Sequence, residues 1–317
     1  MQSRQSHAVS VVMGVYNSAR WIREAIDSVL SQTYPVSEIV VVDDGSTDDT
    51  PQIVKSYGGA IRYLPEKHRG RPHRNRGILA SQGDLIAFID GDDFWDPRKL
   101  ELQIECLDVR GLSWAICQAR WVEADARRPL RVTTAPAREG NILEPLLLNN
   151  FIVASTTVVA RPVFEEIGYF DESPGLAAVE DWDLWLRIAG RFPAGCVFQE
   201  LCTLRLHTDS FLAALATADR VQHQENVIGR AIAREGPRLA SLKSRALANV
   251  LYAAGIQTFR RHEMKQARRY FLAVLRAQPA RLGALGYIVL TLLGSSFAAR
   301  IVRLKRQHLG QLDEGRF

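Results

Sequence analysis

Short runs of β-branched residues alternate with segments of helical periodicity along the first third of the chain. Four such runs are present, at Val9 to Val15, Ile39 to Val42, Ile61 to Leu64 and Leu85 to Ile89. Between the first two runs, apolar residues recur every three or four positions, as on one face of a helix. Parallel strands need a crossover connection, which is usually a helix. The alternation therefore predicts an α/β fold built on a largely parallel sheet.

Three carboxylates fall within four residues directly after the last of these runs, in the turn Asp90-Gly91-Asp92-Asp93. Like charges this close repel one another unless a cation or a hydrogen-bond donor compensates them. Ligands of α/β proteins bind beyond the carboxyl ends of the strands, so the position favours a bound divalent metal over a solvated turn. Oxygen ligands select Mg²⁺ or Mn²⁺, which bind through one or two carboxylates together with substrate phosphates.

The formal net charge of +5 conceals two regions of opposite sign. Residues 1–229 hold 23 lysines and arginines against 31 aspartates and glutamates, whereas residues 230–306 hold 16 against 2. A basic region of this kind favours an anionic surface such as lipid or nucleic acid. Its aromatic residues are not interleaved with the arginines as in a base-stacking platform, so we expect no nucleic-acid partner.

The cysteines form no CxxC pair and are widely spaced, at Cys106, Cys117, Cys196 and Cys202. Their spacing predicts neither a zinc site nor a disulfide framework. Residues 1–7 are polar and lead into an apolar run that is too short for a signal peptide. We therefore expect reduced thiols and a catalytic region that stays in the cytoplasm.

Seven short motifs follow one another along the first two thirds of the chain. They are VSVVMGVYN from Val9, IVVVDDGSTDD from Ile39, RNRG from Arg74, FIDGDD from Phe88, GYFDE from Gly168, EDWDLW from Glu180 and LRLH from Leu204. In this order they resemble the motifs of family 2 glycosyltransferases, and a run of motifs is specific where each alone is weak. The resemblance implies the GT-A fold, a Rossmann-like mixed sheet flanked by helices, and an enzyme that uses a nucleotide-sugar donor.

The resemblance implies that the turns after the first two strands bind the donor nucleotide. Val15, Tyr16 and Asn17 would line the nucleotide loop, where the tyrosine ring can stack on a base. Asp44 would accept the imide N–H of uracil or thymine. Simple turn formation is an equally good interpretation of Asp43.

The resemblance also suggests that Arg71 and Asn75, with Arg74 between them, approach the donor. The basic run from Lys67 to Arg76 contains all three residues. A solvated loop followed by the start of a helix is the alternative interpretation of that run.

The same resemblance implies that the acidic turn binds the donor sugar and the metal. Asp90 and Gly91 would contact the donor, and Asp92 would be the main ligand of Mn²⁺ or Mg²⁺. Such an ion stabilises the charge that develops on the departing diphosphate. His207 matches a family position associated with the metal or the diphosphate, although a lone histidine is usually structural.

Asp181 matches the general base of the family. Its carboxylate would take the proton of the acceptor hydroxyl while that oxygen attacks the anomeric carbon. Direct displacement of this kind inverts the anomeric configuration. The alternative is that Asp181 only caps the helix predicted from the spacing of Trp182, Trp185 and Ala189.

These observations divide the chain into two expected domains. Residues 1–210 would form the GT-A catalytic domain, with a nucleotide-binding part at 1–112 and an acceptor-side part at 113–210. Residues 211–317 would form a basic helical extension, in which four residues match one tetratricopeptide-like helical pair: Gly255, Ala267, Phe271 and Pro279. A single pair cannot bury its apolar face alone, so we expect it to pack on the catalytic domain or on neighbouring helices.

The segment from Leu282 to Ala299 holds 18 residues without a charge, flanked by arginines on both sides. A spanning helix needs about 20 apolar residues, and basic residues at both ends favour a helix that lies in the membrane interface. This interpretation predicts peripheral association with the inner face of the plasma membrane. A buried terminal helix explains the segment equally well.

The sequence thus predicts an inverting glycosyltransferase with a UDP- or dTDP-type donor. The acceptor would be a glycan or a lipid-linked saccharide in the assembly of a bacterial cell-surface glycan or exopolysaccharide. A sugar nucleotidyltransferase would instead carry a glycine-rich phosphate loop after the first strand, where only Gly14 is present. The remaining alternative is a non-catalytic nucleotide-sugar-binding protein, against which the presence of Asp92, Asp181 and His207 argues.

Overall fold

A mixed sheet runs through the computed structural model, which describes residues 6–68, 74–124, 129–130, 137–207 and 215–292. The strands are β1 (Val9–Val15), β2 (Glu38–Asp43), β3 (Ile61–Pro65), β4 (Leu85–Asp90), β5 (Phe94–Trp95), β6 (Trp114–Glu123), β7 (Pro129–Leu130), β8 (Thr157–Ala160) and β9 (Gly195–Leu206). Their order is β3-β2-β1-β4-β8-β6-β9-β5, with β7 paired to β6.

Strands β1 to β4 form the parallel part of the sheet. β1 lies between β2 and β4 and runs parallel to both, and β3 extends the sheet beyond β2 in the same direction. The crossovers contain α1 (Ile22–Leu30), α2 (Thr50–Lys55) and α3 (Arg74–Ala80). The four strands predicted in this half are confirmed, and each boundary lies within one residue of its predicted position.

The part of the chain from β5 to β9 makes the sheet mixed. It contains α4 (Lys99–Arg110), α5 (Leu143–Leu148), α6 (Arg161–Ile167) and α7 (Glu180–Ala189). β8 is antiparallel to both β4 and β6, whereas β6 and β9 are parallel to each other. β5 directly follows the acidic turn and pairs antiparallel with β9. The end of β9 is thereby brought next to that turn.

The two faces of the sheet are covered by separate cores, because successive side chains of a strand point to opposite faces. Val11 and Met13 of β1 pack with residues of α1, α2 and α4. Val12 belongs to the other core, which contains Trp114 and Trp185. Covering both faces in this way is typical of parallel sheets and fixes the strand ends that carry the site.

Helices follow the sheet from residue 217 onward: α8 (Thr217–Glu235), α9 (Pro237–Ala240), α10 (Lys243–Arg260), α11 (Met264–Ala277) and α12 (Leu282–Leu292). Gly255 of α10 lies against the ring of Phe271 in α11, and a Cβ at this glycine would come within 2.8 Å of that ring. α10 also contributes Ala246, Val250 and Ala254 to the core formed with α5 and α7. The helical pair therefore packs on α5 and α7, beside the sheet.

The segment considered for membrane contact is described only as far as Leu292, the end of α12, and residues 293–317 lie outside the described residues. In α12, Ala284 and Thr291 are buried, while four apolar side chains are exposed: Leu282, Leu285, Val289 and Leu292. Within the part of the chain that the structure describes, no helix is long and apolar enough to span a bilayer.

Candidate active site

The turns after β1, β2 and β4 meet at one edge of the sheet. The parallel registers place Val15 of β1 beside Asp43 of β2, and Gly14 beside Asp90 of β4. The backbone N–H of Asp44 donates to the carbonyl oxygen of Val15 at 2.9 Å, which joins the first two turns. The three turns therefore converge where parallel α/β sheets place their ligands.

Tyr16, Asp44 and His68 form the outer end of this edge. The His68 ring is stacked on the Tyr16 ring, with 4.1 Å between centroids and an interplanar angle of 18°. Its Nδ1 lies 3.0 Å from Oδ2 of Asp44 and 2.9 Å from the Asp44 carbonyl oxygen. His68 thus contacts both groups that were predicted to bind the nucleobase, the Tyr16 ring and the Asp44 carboxylate.

Asn17 ties the loops after β1 and β2 together from a left-handed backbone conformation, with φ of 47°. Its N–H donates to Oγ of Ser46 at 2.8 Å, and its side-chain oxygen accepts from the N–H of Thr47 at 2.8 Å. Asp43 accepts from the Ser46 N–H at 2.8 Å and from the Tyr63 hydroxyl at 2.6 Å. Asp43 is therefore occupied in forming the second turn.

The acidic turn is held by a serine that precedes β8. Ser155 Oγ donates to Oδ2 of Asp93 at 2.6 Å and accepts from the Asp90 N–H at 3.1 Å. Gly91 is buried, and a Cβ there would lie 2.8 Å from the last side chain of β1. Burial, reinforced by the charges of Asp92 and Asp90, raises the pKa of Asp93 well above its ordinary value. Asp93 therefore supports the turn from inside.

Asp92 and His207 form a candidate metal pair, in which His207 Nε2 lies 2.8 Å from Oδ2 of Asp92. The pair is positioned by Arg205, whose side chain is buried. Arg205 Nη1 donates to the carbonyl oxygen of Asp92 at 2.5 Å, and Nη2 pairs with Glu24 at 2.6 Å. The same guanidinium lies 4.6 Å from the centre of the Phe94 ring. One buried side chain thus connects α1, the acidic turn and β9.

A carboxylate oxygen suits hard divalent ions such as Mg²⁺ and Mn²⁺, whereas an imidazole nitrogen is a ligand that suits transition-metal ions. Among the residues described, no three His, Cys, Asp or Glu side chains come together in a group that could hold a metal. Ions at phosphate-binding sites commonly take only one or two protein ligands and complete their coordination with phosphate oxygens and water. The pair of Asp92 and His207 fits an ion of that kind.

A buried arginine connects the acidic turn to the start of α7. Arg74 donates from Nη2 to Asp90 Oδ1 at 2.6 Å and from Nη1 to Glu180 Oε1 at 3.0 Å. Burial alone would lower the pKa of Arg74, but the carboxylates of Asp90 and Glu180 outweigh it and raise that pKa. The arginine therefore stays charged and holds two carboxylates in place.

Asp181 lies next to this ion-pair network, in the first turn of α7. The N-cap residue of the helix is Val179, and Oδ1 of Asp181 accepts from the N–H of Trp182 at 2.6 Å. Burial raises the pKa of Asp181 to about 7, the negative charge of Glu180 adds to the rise, and Arg74 opposes it. A carboxyl group with a pKa near neutrality is suited to take a proton at physiological pH.

The two remaining predicted donor contacts have different outcomes. Asn75 exchanges two hydrogen bonds with the backbone of Phe170, donating to its carbonyl oxygen at 2.8 Å and accepting from its N–H at 2.9 Å. The amide thereby links α3 to the GYFDE motif. Arg71 lies outside the described residues.

Four residues of this site were not predicted to act in it: His68, Ser155, Glu180 and Arg205. Glu180 and Arg205 stand inside the EDWDLW and LRLH motifs, so their position in the sequence could have revealed them. Ser155 and His68 carry no such signal, because their contacts arise only when distant segments fold together.

The chain matches known proteins over a large part of its length. A family model described as Glycosyl transferase family 2 matches residues 10–168, which is half of the chain. The chain belongs to glycosyl transferase family 2. The resemblance found in the ordered motifs is thereby confirmed.

Two relatives show how much of the chain is shared. A Rickettsia felis protein described as an uncharacterized glycosyltransferase is 34% identical over 209 residues, which cover 63% of this chain and 34% of the relative. The chain therefore spans about a third of the length of that relative. Bacillus subtilis TuaG, described as a putative teichuronic acid biosynthesis glycosyltransferase, is 30% identical over 185 residues, covering 57% of this chain and 71% of TuaG.

Solved structures confirm the predicted GT-A fold for this family 2 chain. S. aureus TarS 1-349 in complex with UDP-GlcNAc superposes with a TM-score of 0.63 at 18% identity, covering 96% of this chain and 93% of TarS. The mannosyltransferase PcManGT from Pyrobaculum calidifontis, in complex with GDP-Man and Mn²⁺, has a TM-score of 0.61 at 22% identity, covering 98% and 89%. At these identities the likeness shows the fold alone.

Proposed function

We propose that this chain is an inverting glycosyltransferase that moves a sugar from a nucleoside-diphosphate donor to an acceptor hydroxyl. One observation carries the proposal: the edge that holds the Asp92–His207 pair is joined through Arg74 to the start of α7, where Asp181 has a pKa of about 7. A candidate metal pair and a candidate proton acceptor thus belong to one connected site. Substrate binding and proton transfer can then occur together.

The donor is proposed to be of the UDP or dTDP type. The carboxylate of Asp44 can accept the imide N–H of uracil or thymine, and the Tyr16 ring can stack on either base. The TarS structure with UDP-GlcNAc supports a UDP-type donor. The PcManGT structure with GDP-Man makes guanine the alternative base to test.

The cofactor is proposed to be Mn²⁺ or Mg²⁺, and the Mn²⁺ in the PcManGT structure supports this choice. Asp92 and His207 would hold the ion, while Arg205 fixes the backbone of Asp92. When bound, such an ion neutralises charge on the diphosphate leaving group.

Asp181 is proposed to be the general base. In its ionised form the carboxylate takes the proton from the acceptor hydroxyl as the hydroxyl oxygen forms a bond to the anomeric carbon. The bond from that carbon to the diphosphate oxygen breaks on the opposite face, so the configuration inverts. Arg74 would keep Asp90 beside the donor by holding its carboxylate in one orientation.

The product is proposed to be a bacterial surface or secreted polysaccharide, built on a glycan or lipid-linked acceptor. The name of TuaG, which places that relative in teichuronic acid biosynthesis, supports this class. We further propose that residues 1–210 are the catalytic domain and residues 211–317 a helical extension. A cytoplasmic location with peripheral contact to the inner membrane face accords with the basic charge of that extension.

The donor site can be tested by thermal shift and nucleotide release with purified protein, Mn²⁺ or Mg²⁺, and a panel of UDP-, dTDP- and GDP-sugars. We expect a UDP- or dTDP-sugar to raise the melting temperature only when a divalent ion is present. In Asp92→Ala this metal-dependent shift should be lost, because the pair with His207 is broken.

The matched control is Asp108→Ala, which removes a carboxylate paired with His7 on the outer side of α4. It should leave the donor-induced shift unchanged. Absence of any shift with the whole panel, or an equal shift in Asp92→Ala, would rule out the proposed donor site. A donor-dependent shift without transfer to any acceptor would favour the non-catalytic nucleotide-sugar-binding protein, and pyrophosphate release from a nucleoside triphosphate would favour the nucleotidyltransferase.

A further inference from the structure

The segment between the GYFDE motif and α7 is held by side chains of α8. Asn226 donates from Nδ2 to the carbonyl oxygen of Gly175 at 3.1 Å. His223 donates from Nδ1 to the carbonyl oxygen of Ala177 at 2.9 Å, since a carbonyl oxygen can only accept. Residues three positions apart lie on the same side of a helix. One side of α8 thus fixes two backbone carbonyl groups of this segment.

Arg230, four residues further along α8, extends these contacts to the start of the segment. Its guanidinium pairs with the carboxylate of Asp171, which also accepts from the N–H of Ser173 at 2.8 Å. The pair is exposed, so it contributes little to the stability of the fold. It nevertheless brings Asp171 to the side of α8 that carries the other two contacts. The three side chains are together called the α8 clamp: His223, Asn226 and Arg230.

Two buried side chains connect the clamped segment to the start of α7. Leu176 and Val179 lie in the same core as Val227 and Ile228 of α8. The N–H of Val179 donates to the carbonyl oxygen of Leu176 at 3.0 Å, and Val179 is the N-cap residue of α7. Asp181 follows two residues later. A displacement of the segment therefore moves the backbone that carries Asp181.

The backbone of Ala178 shows why this segment needs to be held. It is left-handed, with φ of 65°, a conformation that costs free energy in a residue with a Cβ. Such a conformation persists only where the surrounding structure determines it. Ala178 directly follows Ala177, whose carbonyl oxygen is bound by His223, and directly precedes the N-cap residue of α7. The strained residue thus lies between the α8 clamp and the helix that carries Asp181.

We propose that the α8 clamp positions Asp181, with Asn226 as its central residue. The clamp holds the carbonyl groups of the segment, and the segment fixes the first turn of α7. Its effect on transfer rests on the proposed function, in which Asp181 is the general base. The three side chains act through the segment, so they are positioning residues. The catalytic unit then extends through α8, beyond the matched residues 10–168 and beyond the boundary expected at residue 210.

Hydrogen exchange of the full chain without substrates tests the structural part of the proposal. In Asn226→Ala the hydrogen bond to Gly175 is lost, so the amides of residues 176–183 should exchange about five- to tenfold faster. The amides of β1 and β4 should exchange as before. The matched control is Gln224→Ala, which removes an amide group about 200° around α8. It should leave the exchange of residues 176–183 unchanged.

The kinetics of the same two variants test the functional part. Asn226→Ala should lower kcat by about 10- to 100-fold, because a small misplacement of a catalytic group has an effect of this size. The KM for the donor should stay within about twofold, since the segment leads to the proposed base and not to the proposed donor site. Gln224→Ala should keep both values.

A glycine at position 178 distinguishes positioning from a general loss of structure. Glycine adopts a φ of 65° without the strain of alanine, so Ala178→Gly makes the segment less dependent on the α8 clamp. Added to Asn226→Ala, this change should recover about fivefold in kcat. If Asn226→Ala fails to fold, Arg230→Gln takes its place, because that arginine pairs at the surface. Arg234→Gln, one turn later, is then the control.

Three outcomes would overturn the proposal. Unchanged exchange of residues 176–183 in Asn226→Ala would show that the α8 clamp does not hold the segment. Faster exchange with an unchanged kcat would remove its role in positioning Asp181. An equal loss of kcat in Gln224→Ala would show only a general dependence on α8. If Asp181→Asn is itself fully active, the assignment of the base fails, and hydrogen exchange still decides separately whether the clamp holds the segment.

Discussion

The two ends of the candidate active site are built in different ways. At the proposed nucleobase end, Tyr16 is 44% exposed and stacks on His68, which in turn contacts Asp44. At the reaction end, Arg74 and Arg205 are buried and each joins the acidic turn to a second element. The nucleobase end is therefore an exposed surface with few contacts, whereas the reaction end is a network of buried ion pairs and hydrogen bonds.

This difference has an energetic consequence. Removing one member of a buried ion pair leaves the other charge without compensation, which costs far more than an exposed pair contributes. A change at the proposed nucleobase end should have a local effect on affinity. A change at the proposed reaction end should affect catalysis, stability or both. The following predictions test this contrast, from the largest effect to the smallest.

Asp181→Asn should lower the transfer rate by about 10²- to 10⁴-fold, because the amide cannot take the acceptor proton. Donor binding, measured by thermal shift, should stay as in the unchanged protein, since Asp181 is proposed to act on the acceptor. Asp108→Asn is the control and should keep full activity. Full transfer by Asp181→Asn with an identified acceptor would refute the assignment.

Arg74→Gln should reduce the free energy of unfolding by about 3–5 kcal/mol, because it leaves the carboxylates of Asp90 and Glu180 without their partner. Arg76→Gln, two residues along the same helix, is the matched control: Arg76 is 58% exposed in its pair with Glu66. Its cost should stay within about 1 kcal/mol. Urea denaturation measures both values, and equal losses would contradict the contrast between buried and exposed pairs.

The transfer rate should rise with pH through about 7, the pKa of Asp181. Below that pH the carboxyl is protonated and cannot act as a base, so the rate should fall about tenfold for each pH unit. The raised pKa also makes the stability of the fold depend on pH. The stabilising contribution of the protonated Asp181 carboxyl is complete below the pKa that this group has in the unfolded chain. That contribution is lost as the pH rises through 7.

A pH profile of the transfer rate, recorded at saturating donor and acceptor, measures this rise. In Asp181→Asn the residual transfer rate should not rise with pH in this way. A profile that is flat between pH 5 and 8 would show that proton transfer to this group does not limit the reaction.

His68→Ala should tighten binding of free UDP by about two- to tenfold, since aromatic pairing of this kind contributes about 0.5–1.5 kcal/mol. The His68 ring holds the Tyr16 face and contacts the Asp44 carboxylate, so a base must compete with it for both. Lys67→Ala, an exposed neighbour, is the control. Weaker UDP binding in His68→Ala would show that the imidazole contacts the bound base instead.

Much of the fold could be predicted from the sequence, because it depends on local periodicity. The strands that end at Val15, Asp43 and Asp90 are apolar runs broken by turn residues, and these features are visible without tertiary information. The same holds for the helix that starts at Glu180. The family motifs then indicated which strand ends carry the site.

The partners of those residues could not be predicted. Asp93 resembled its neighbours in the sequence, yet only folding makes it the buried member, bonded to Ser155 from 62 residues away. The stack of His68 on Tyr16 likewise depends on how the loop after β3 returns to the turn after β1. The position of a residue in a motif was available from the sequence, whereas its burial and its long-range contacts were not.

The pairing of β5 with β9 limits how this protein can be divided. Asp92 belongs to the proposed nucleotide-binding part of the chain, but its carboxylate contacts His207 and its carbonyl oxygen accepts from Arg205, both more than 100 residues later. A fragment that ends at residue 112 would retain the loops proposed to contact the base without the groups that orient Asp92. Exchanging nucleotide-binding halves between relatives would therefore require carrying the end of β9 along as part of the same unit.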